Sequence, residues 1–159
     1  MTESLDYVVV EEYIMLGIPV IDKQHANLVR IAHNLHLVCQ SDSEITNYRF
    51  INAVQEAVDY IRGHCKTEER LMELSGFPGY LAHKKEHGDF IWEIISWSRQ
   101  FQDGQKSGPR KFARFLTEWI KFHIGISDKA FADFFLNMNQ HGKIRQALVC
   151  DPQLSGQTA

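Results

Sequence analysis

The sequence predicts an all-α fold, an up-down-up-down antiparallel four-helix bundle with an extended N-terminal arm. Four segments carry apolar and histidine side chains at alternating steps of three and four residues, which keeps one stripe on one face of a helix. Short polar or glycine- and proline-containing stretches separate these segments, and short connections make consecutive helices antiparallel neighbours. The sequence shows no strand-like alternation of useful length and no internal repeat.

The first two predicted helices are separated by a polar stretch. The first begins near Pro19, because proline suits the first turn of a helix. The stretch from Ser41 to Asn47 interrupts the pattern and offers serine and aspartate as caps. The second helix is expected to end in the turn at residues 75–79. The two stripes are Ile21, His25, Leu28, Ala32, Leu35 and Cys39, then Phe50, Val54, Ala57, Ile61, His64, Glu68 and Leu71.

The third and fourth predicted helices are separated by the stretch from Gly104 to Pro109. Gly125 is expected to loosen the end of the fourth, and a short helical piece from about Lys129 to Asn139 follows. We expect one domain over residues 1–159, with the bundle at about 18–140, the arm at 1–17 and a loosely ordered tail at 142–159. The stripes are Tyr80, His83, His87, Phe90, Ile94, Trp97 and Phe101, then Phe112, Leu116, Trp119 and His123.

Composition and charge argue against several classes of protein. The chain has 159 residues, of which 44% are hydrophobic and 23% charged, as in ordinary globular domains. Its formal charge of -3 and the lack of a lysine and arginine cluster argue against a nucleic-acid partner. No run approaches the roughly 18 apolar residues of a membrane helix, and the N-terminus lacks a secretory pattern. Three cysteines without CxxC spacing fit reduced thiols, so we expect a cytoplasmic protein.

The histidines carry the main functional signal. Glu68 lies on the second stripe and Asp128 lies just beyond the fourth. An apolar interior disfavours imidazoles and ionised carboxylates without partners, so something inside the bundle must neutralise them. Five of the eight histidines lie on stripes that should face the core: His25, His64, His83, His87 and His123.

The spacing of these residues predicts a metal centre. Residues four apart share a helix face, so His64 and Glu68 point to one interior volume, as do His83 and His87. A loosened turn could also bring the Asp128 carboxylate inward. Seven nitrogen and oxygen ligands exceed one ordinary site and suit two first-row metals bridged by carboxylates. Each residue alone is weak evidence, and the inference depends on the complete set.

Other conspicuous residues are given ordinary roles. Cys65 is adjacent to His64, and helix neighbours do not face each other, so we expect an inert thiol rather than a nucleophile. No zincin, Walker, dinucleotide-binding or serine-hydrolase motif is present. The histidines outside the stripes are expected at the surface: His33, His36 and His141. An aromatic set is expected to pack in the core: Phe90, Trp97, Phe101, Phe112 and Trp119.

At four places the sequence resembles the hemerythrins, in particular their single-domain bacterial type. The matching segments are GIPVIDKQH around His25, HCKTEERLM from His64, HKKEH from His83, and WIKFHIGISD through His123 to Asp128. The resemblance extends over roughly residues 13–135. Two departures are Tyr13, where the family often has tryptophan, and Phe131, where it often has tyrosine.

The resemblance implies two iron ions, one of them with an open position. It implies that two carboxylates bridge the irons together with a solvent-derived oxo or hydroxo group. The implied ligands are His83, His87 and His123 for one iron, His25 and His64 for the other, and Glu68 and Asp128 as bridges.

The resemblance also implies reversible dioxygen binding at the open position, for oxygen storage, delivery or sensing, rather than an enzymatic activity. Trp119, Ile120 and Ile124 would line the oxygen pocket, and none of them has an acidic side chain. An imidazole-rich ligand set favours carriage over turnover, in contrast to the carboxylate-rich sets of ferritin-like enzymes.

Alternative functions stay open at this stage. One is a di-iron redox enzyme or sensor acting on peroxide or nitric oxide, with a weak peroxidase-type activity as a milder form. Another is a signalling module in which the arm or the tail changes state. The ligand types also suit manganese or zinc. Apart from dioxygen, we expect no nucleic-acid or membrane partner, identify no protein partner and take the chain as a monomer.

Overall fold

The computed structural model describes residues 14–40, 45–102 and 108–140. In these ranges the chain forms helices α1 (Pro19–Gln40), α2 (Ile45–Ser75), α3 (Tyr80–Gln102) and α4 (Gly108–His123), then a π-helix (Ile124–Asp128) and α5 (Lys129–Gln140). Helices α1 and α3 each pack against both α2 and α4, and α5 packs against α2 and the π-helix. The predicted all-α four-helix bundle is confirmed. None of the helices described is long and apolar enough to cross a bilayer.

Two predicted connections are shorter than expected. Helix α2 begins at Ile45, so the prediction of a break as far as Asn47 is wrong. Residues 45–47 have only moderate helix propensity, but the packing of the following turns against the core extends the helix through them. Helix α4 begins at Gly108 and contains Pro109 in its first turn, where the missing N–H of proline leaves no helical bond unmade. Residues 41–44 and 103–107 lie outside the described ranges.

Helix α2 ends as the sequence predicts. Gly76 has a φ of 68°, in the left-handed region that glycine enters without strain. The Gly76 N–H donates to the Glu73 carbonyl at 3.2 Å, and the Phe77 N–H donates to the Met72 carbonyl at 3.0 Å. This pair of bonds satisfies carbonyl groups of the last turn and stops the helix. The chain then reverses into α3.

The core has two apolar clusters with a polar layer between them. Along α1, His25 falls between Ile21 of the smaller cluster and Leu28 of the larger one. Asp128 likewise falls between Ile124 of the larger cluster and Phe131 of the smaller one. The predicted stripes face this interior, because every described member of the first two stripes is buried. The apolar clusters on both sides of the polar layer therefore keep water away from it.

The end of the predicted arm is tied to α1 by one buried carboxylate. The backbone N–H groups of Leu16 and Gly17 donate to Asp22 Oδ1 at 2.7 Å and Oδ2 at 3.1 Å. Gly17 has a φ of 89°, a conformation that requires glycine. Ile14 is thereby brought against the bundle, where its side chain is buried. The rest of the arm, at 1–13, and the predicted tail at 142–159 lie outside the described residues.

Candidate metal centre

The polar layer brings together all seven side chains predicted as metal ligands. Their donor atoms fall into two groups, and within each group the atoms lie within 4.8 Å of one another. Glu68 and Asp128 belong to both groups, and each is fully buried. The three-imidazole group adds His83, His87 and His123 to these carboxylates, and the two-imidazole group adds His25 and His64. Two adjoining sites that share two carboxylates are the result.

Helix periodicity positions most of these donors. His64 and Glu68 lie one turn apart on α2, with Nε2 and Oε2 separated by 3.5 Å. His83 and His87 lie one turn apart on α3, with their Nε2 atoms separated by 3.0 Å. His25 comes from α1. Four helices thus each present at least one donor to the layer, since α4 ends on a histidine of the set.

The π-helix positions the remaining carboxylate. Asp128 follows His123 by five residues, and on an α-helix such residues lie about 140° apart around the axis. The Lys129 N–H bonds the Ile124 carbonyl, five residues earlier, so the turn contains one extra residue. Asp128 Oδ1 consequently lies 3.0 Å from His123 Nε2. The loosened turn predicted at Gly125 is this π-helix.

On the two-imidazole side, the outer ring nitrogens donate to neutral acceptors. His25 Nδ1–H donates to the Ile14 carbonyl at 3.0 Å. His64 Nδ1–H donates to Gln24 Oε1 at 3.1 Å, and Gln24 Nε2–H donates in turn to Thr67 Oγ1 at 3.1 Å. Because a carbonyl oxygen can only accept, these bonds place the ring proton on Nδ1. In the neutral ring, Nε2 then directs a lone pair into the polar layer.

On the three-imidazole side, the outer nitrogens of two rings face carboxylates. His87 Nδ1–H donates to Glu69 Oε1 at 3.2 Å. His123 Nδ1 lies 3.3 Å from Glu86 Oε2. The hydrogen bond to Glu69 places the His87 proton on Nδ1, and the nearby charge of Glu86 favours the same tautomer for His123, so Nε2 is the inward atom of both rings. All four of these rings therefore present Nε2, the atom that a metal would take, to the interior.

Several of the inner atoms are acceptors that face one another, and this observation tests the fit to a metal. His87 Nε2 and His123 Nε2 lie 3.0 Å apart, and two lone pairs at that distance repel. His64 Nε2, both oxygens of Glu68 and Asp128 Oδ1 are buried without a hydrogen-bond partner. Unpaired buried polar atoms are strongly unfavourable. Two nitrogens that each bond one cation at roughly 2.1 Å and at right angles lie about 3.0 Å apart, so this donor set fits metal ions.

The electrostatics of the layer favour ionised carboxylates. Burial and the charge of Asp128 act to raise the pKa of Glu68, but His64, His83 and His87 outweigh them and hold it at about 2. Burial also acts to raise the pKa of Asp128, but the surrounding histidines hold it well below its usual range. Burial lowers the pKa of His64 to about 4, so this ring is neutral at neutral pH. Burial opposes protonation of His83 too, but Asp128 and Glu68 raise its pKa to about 9.

Sequence reasoning missed the residues that hold the ligands from outside. Each of these side chains lies on the helix that precedes the helix of the ligand it contacts. Gln24 of α1 contacts a ligand on α2, Glu69 of α2 contacts one on α3, and Glu86 of α3 contacts one on α4. A weak signal was available, because each of the three is adjacent in sequence to a predicted ligand. Asp22 and Thr67 were also missed, although both are buried polar residues.

The three residues predicted to line an oxygen pocket occupy two environments. Ile120 and Ile124 are buried in the larger apolar cluster. Trp119 is half-buried, stacks on His123 with ring centroids 4.1 Å apart, and stacks on Phe90. It also lines a surface groove of ≈ 380 Å³ that reaches His123. The assignment of these residues to an oxygen pocket stays a prediction.

The residues given ordinary roles are placed largely as expected. Cys65 is a buried free thiol whose pKa is raised by burial and by Glu68, which favours the unreactive protonated form. His33 and His36 are exposed, whereas the position of His141 lies outside the described residues. Phe131 is buried in the smaller cluster against Phe77. Of the predicted core aromatics, Phe90 and Phe112 are buried, Trp97 and Trp119 are half-buried, and the Phe101 side chain is not described.

Comparison with known proteins assigns the chain to a family. The family model for the hemerythrin HHE cation binding domain matches residues 16–134. The chain belongs to the hemerythrin family. This hemerythrin-family chain is 31% identical over 133 residues to a bacteriohemerythrin of Stenotrophomonas maltophilia, covering 83% of the chain and 84% of the relative. It is 33% identical over 117 residues to a bacteriohemerythrin of Pseudomonas aeruginosa, covering 74% of each.

A more distant relative and a solved structure agree with this assignment. A bacteriohemerythrin of Methylococcus capsulatus is 26% identical over 110 residues, covering 69% of the chain and 82% of the relative. A crystal structure of a wild-type hemerythrin superposes with a TM-score of 0.65 at 24% identity, covering 72% of the chain and 85% of that structure. The solved structure supports the fold. The family model supports a cation-binding domain, to which the buried donor set corresponds.

Proposed function

We propose that this hemerythrin-family protein binds dioxygen reversibly at two iron ions held in the polar layer. The observation that carries the proposal is the pair of donor groups that share Glu68 and Asp128. Two bound metals would use the inward-facing donors of both groups, including the oxygen atoms that are otherwise unpaired. The names of the bacteriohemerythrin relatives add support for the same chemistry in this chain.

The two donor groups would give the two irons unequal numbers of protein ligands. The three-imidazole group would hold one iron, the two-imidazole group the other, and the carboxylates would belong to both. The two-imidazole group has one protein donor fewer, so a position open to a small ligand is expected on that side. When bound, the two irons supply the electrons that dioxygen takes up and later returns. Storage, delivery and sensing all require this same reversible step.

Protons near the two-imidazole side are committed to other bonds, which supports reversible binding over cleavage of the bound oxygen. Gln24 Nε2–H donates to Thr67 Oγ1, and the Thr67 hydroxyl donates to the Gly63 carbonyl at 3.0 Å. Cys65, on the same helix as His64, keeps its proton because its pKa is raised by burial. General acid catalysis requires a group that can release a proton to the reacting atom. Gln24 and Thr67 donate to groups outside the donor set, and the Cys65 thiol retains its proton.

The proposal is tested by metal analysis and by a reversible spectrum. The purified protein should contain two irons per chain, and the anaerobically reduced form should gain a visible band on exposure to oxygen and lose it when oxygen is removed. The Lys66→Ala variant is a matched control, because its exposed side chain lies between His64 and Glu68 outside the layer. Loss of the band without recovery, or a metal other than iron, would contradict reversible oxygen binding.

One observation favours a second candidate, a di-iron redox enzyme acting on peroxide or nitric oxide. The groove of ≈ 380 Å³ brings solvent up to His123, with Glu86 and Ser127 in its lining. Polar groups at such an entrance could exchange protons with the three-imidazole side. Catalytic consumption of hydrogen peroxide by the iron-loaded protein, lowered in Glu86→Gln, would move this candidate ahead of oxygen carriage. The monomeric state and the cytoplasmic location stay predictions.

A further inference from the structure

We propose that Glu69 and Glu86 are positioning residues that make the two metal subsites unequal, so that the three-imidazole subsite keeps its metal longer and favours the oxidised state. The proposal rests on the metal centre proposed above. It assigns a role to two acidic side chains that lie outside the donor set and would otherwise be ordinary charges on helix surfaces. It also predicts which of the two metals leaves first.

In the three-imidazole group, the outer nitrogens of two rings face carboxylates. His87 Nδ1–H donates to Glu69 Oε1 at 3.2 Å, and His123 Nδ1 faces Glu86 Oε2 at 3.3 Å. A carboxylate that accepts the outer N–H of an imidazole pulls on that proton and makes the opposite nitrogen a stronger donor. The His87 ring therefore receives additional electron density through its hydrogen bond to Glu69, and the His123 ring lies in the field of the Glu86 charge at ion-pair distance.

The carboxylates of Glu69 and Glu86 are both held in place by further contacts. Lys84 Nζ lies 3.2 Å from Glu69 Oε2, the oxygen that His87 leaves free. The Ser127 hydroxyl donates to Glu86 Oε2 at 2.7 Å. Side chains restrained in this way lose less freedom on binding than free surface carboxylates do. Because Ser127 belongs to the π-helix, Glu86 also ties the segment that carries Asp128 to α3.

The two-imidazole group differs in the charge of its outer partners. Its outer nitrogens donate to the Ile14 carbonyl and to Gln24 Oε1, both of them uncharged acceptors. Neutral acceptors fix the orientation of a ring but strengthen its donor nitrogen less than a carboxylate does. The two subsites share Glu68 and Asp128, so the difference between them comes from the outer partners as well as from the number of rings.

The consequence is a measurable order of release and reduction. Outer partners of metal-binding histidines typically contribute 10–100-fold to metal affinity. Glu86 is 49% exposed and Glu69 is 20% exposed, so water screens part of their effect, and we expect values near the lower end of that range. A stronger donor set also stabilises the higher oxidation state, so the metal on this side should be the harder one to reduce.

The experiment uses the full-length protein loaded with two Fe(II) per chain without oxygen and then challenged with excess EDTA. Two release phases are expected in the wild type. Glu69→Gln and Glu86→Gln retain a hydrogen-bond acceptor of the same size while removing the charge, so each should accelerate the slower phase about tenfold and leave the faster phase unchanged. Each should also raise the reduction potential of the harder-to-reduce metal. Asp89→Asn is the matched control, because this carboxylate pairs with Lys85 and contacts no ligand.

A reciprocal variant completes the test. Gln24→Glu places a charged acceptor on His64 and should slow the faster phase, which brings the two rates together. Equal acceleration of both phases in the Glu69 and Glu86 variants, or rates equal to those of the wild type, would overturn the inference while leaving the metal centre intact. Failure of the wild type to hold two metals would instead overturn the proposed function, and this inference with it. Far-ultraviolet circular dichroism verifies that each variant is folded before its rates are compared.

Discussion

His87 Nε2 and His123 Nε2 lie 3.0 Å apart at the junction of α3 and α4, and the Nδ1 atom of each ring faces a carboxylate of another helix. With Nδ1 of each ring turned toward a carboxylate, both Nε2 atoms act as acceptors, and a cation bound between them would relieve their repulsion. The relationship connects the fold to its chemistry, because the helix packing that buries the layer also determines which nitrogen of each ring faces inward. Metal ions would then contribute directly to the stability of the bundle.

Replacement of Glu68 should remove metal from both subsites. Glu68 belongs to both donor groups, and neither of its oxygens has a hydrogen-bond partner. We expect Glu68→Ala to hold fewer than two irons per chain and to lose the oxygen-dependent visible band. Metal content by plasma emission spectrometry measures the outcome. Glu56→Ala, at an exposed position of the same helix, should load like the wild type, and two irons in both variants would exclude Glu68 as a ligand.

Metal uptake should strengthen as the pH rises from 7 to 9. The pKa of His83 in the metal-free fold is raised to about 9, so this ring must release a proton before it can bind a metal. Glu68, with a pKa of about 2, and His64, with a pKa of about 4, are already deprotonated and add no such dependence. His83 should increase the affinity by up to about tenfold per pH unit in this range. Burial acts to lower the pKa of His25, but Asp128 and Glu68 outweigh it and raise this pKa, so His25 adds to the dependence.

A competition titration with a calibrated chelator at pH 7 and pH 8 measures this dependence. Proton release on metal addition, followed with an indicator dye in weak buffer, provides an independent measurement. Equal metal affinities at the two pH values, together with no released proton, would show that His83 is neutral before the metal arrives.

Replacement of Asp22 should release the end of the arm and destabilise the bundle. Its carboxylate accepts the N–H groups of Leu16 and Gly17, and Asp22→Ala leaves both donors without this partner. An unsatisfied buried group costs about 1–3 kcal/mol, but Leu16 is only half-buried and Gly17 is exposed, so we expect a loss of about 1 kcal/mol. The Ile14 carbonyl would also no longer be held against His25. Urea unfolding should therefore show a loss of this size. Asp59→Ala, at an exposed position, should change the free energy of unfolding by less than about 0.5 kcal/mol.

Two glycine substitutions should have opposite effects on stability. Gly17 has a φ of 89°, and a Cβ there would lie 3.2 Å from Leu136 Cδ1, so Gly17→Ala should destabilise the protein by about 1–2 kcal/mol. Gly63 lies within α2, and a Cβ there meets nothing within 4 Å. Gly63→Ala should stabilise the helix by about 0.5–1 kcal/mol. Thermal unfolding of the two metal-free variants compares them directly, and shifts of the same sign would contradict the assignment.

The bundle and the donor set were predictable because both depend on local periodicity. A stripe with steps of three and four residues determines which side chains share a helix face, and a polar residue such as His25 or Glu68 stands out on an apolar stripe. The two short connections were predicted less well. Residues such as Ile45 and Asn47 have weak local preferences, and tertiary packing decides whether they continue a helix.

The outer partners of the ligands depend on contacts between helices. Gln24 is adjacent in sequence to His25 but contacts a ligand on α2. Glu86 is adjacent to His87 but contacts a ligand on α4. The π-helix similarly became evident only from its backbone bonds, because a glycine indicates a weak turn but not the direction in which Asp128 returns. The amino-acid sequence by itself therefore determined the bundle and the identity of the candidate ligands, since helix periodicity is local. The grouping of these ligands was available beforehand only through the family resemblance. Only the tertiary structure decided their tautomers and their outer partners, because these depend on the rotation and packing of separate helices.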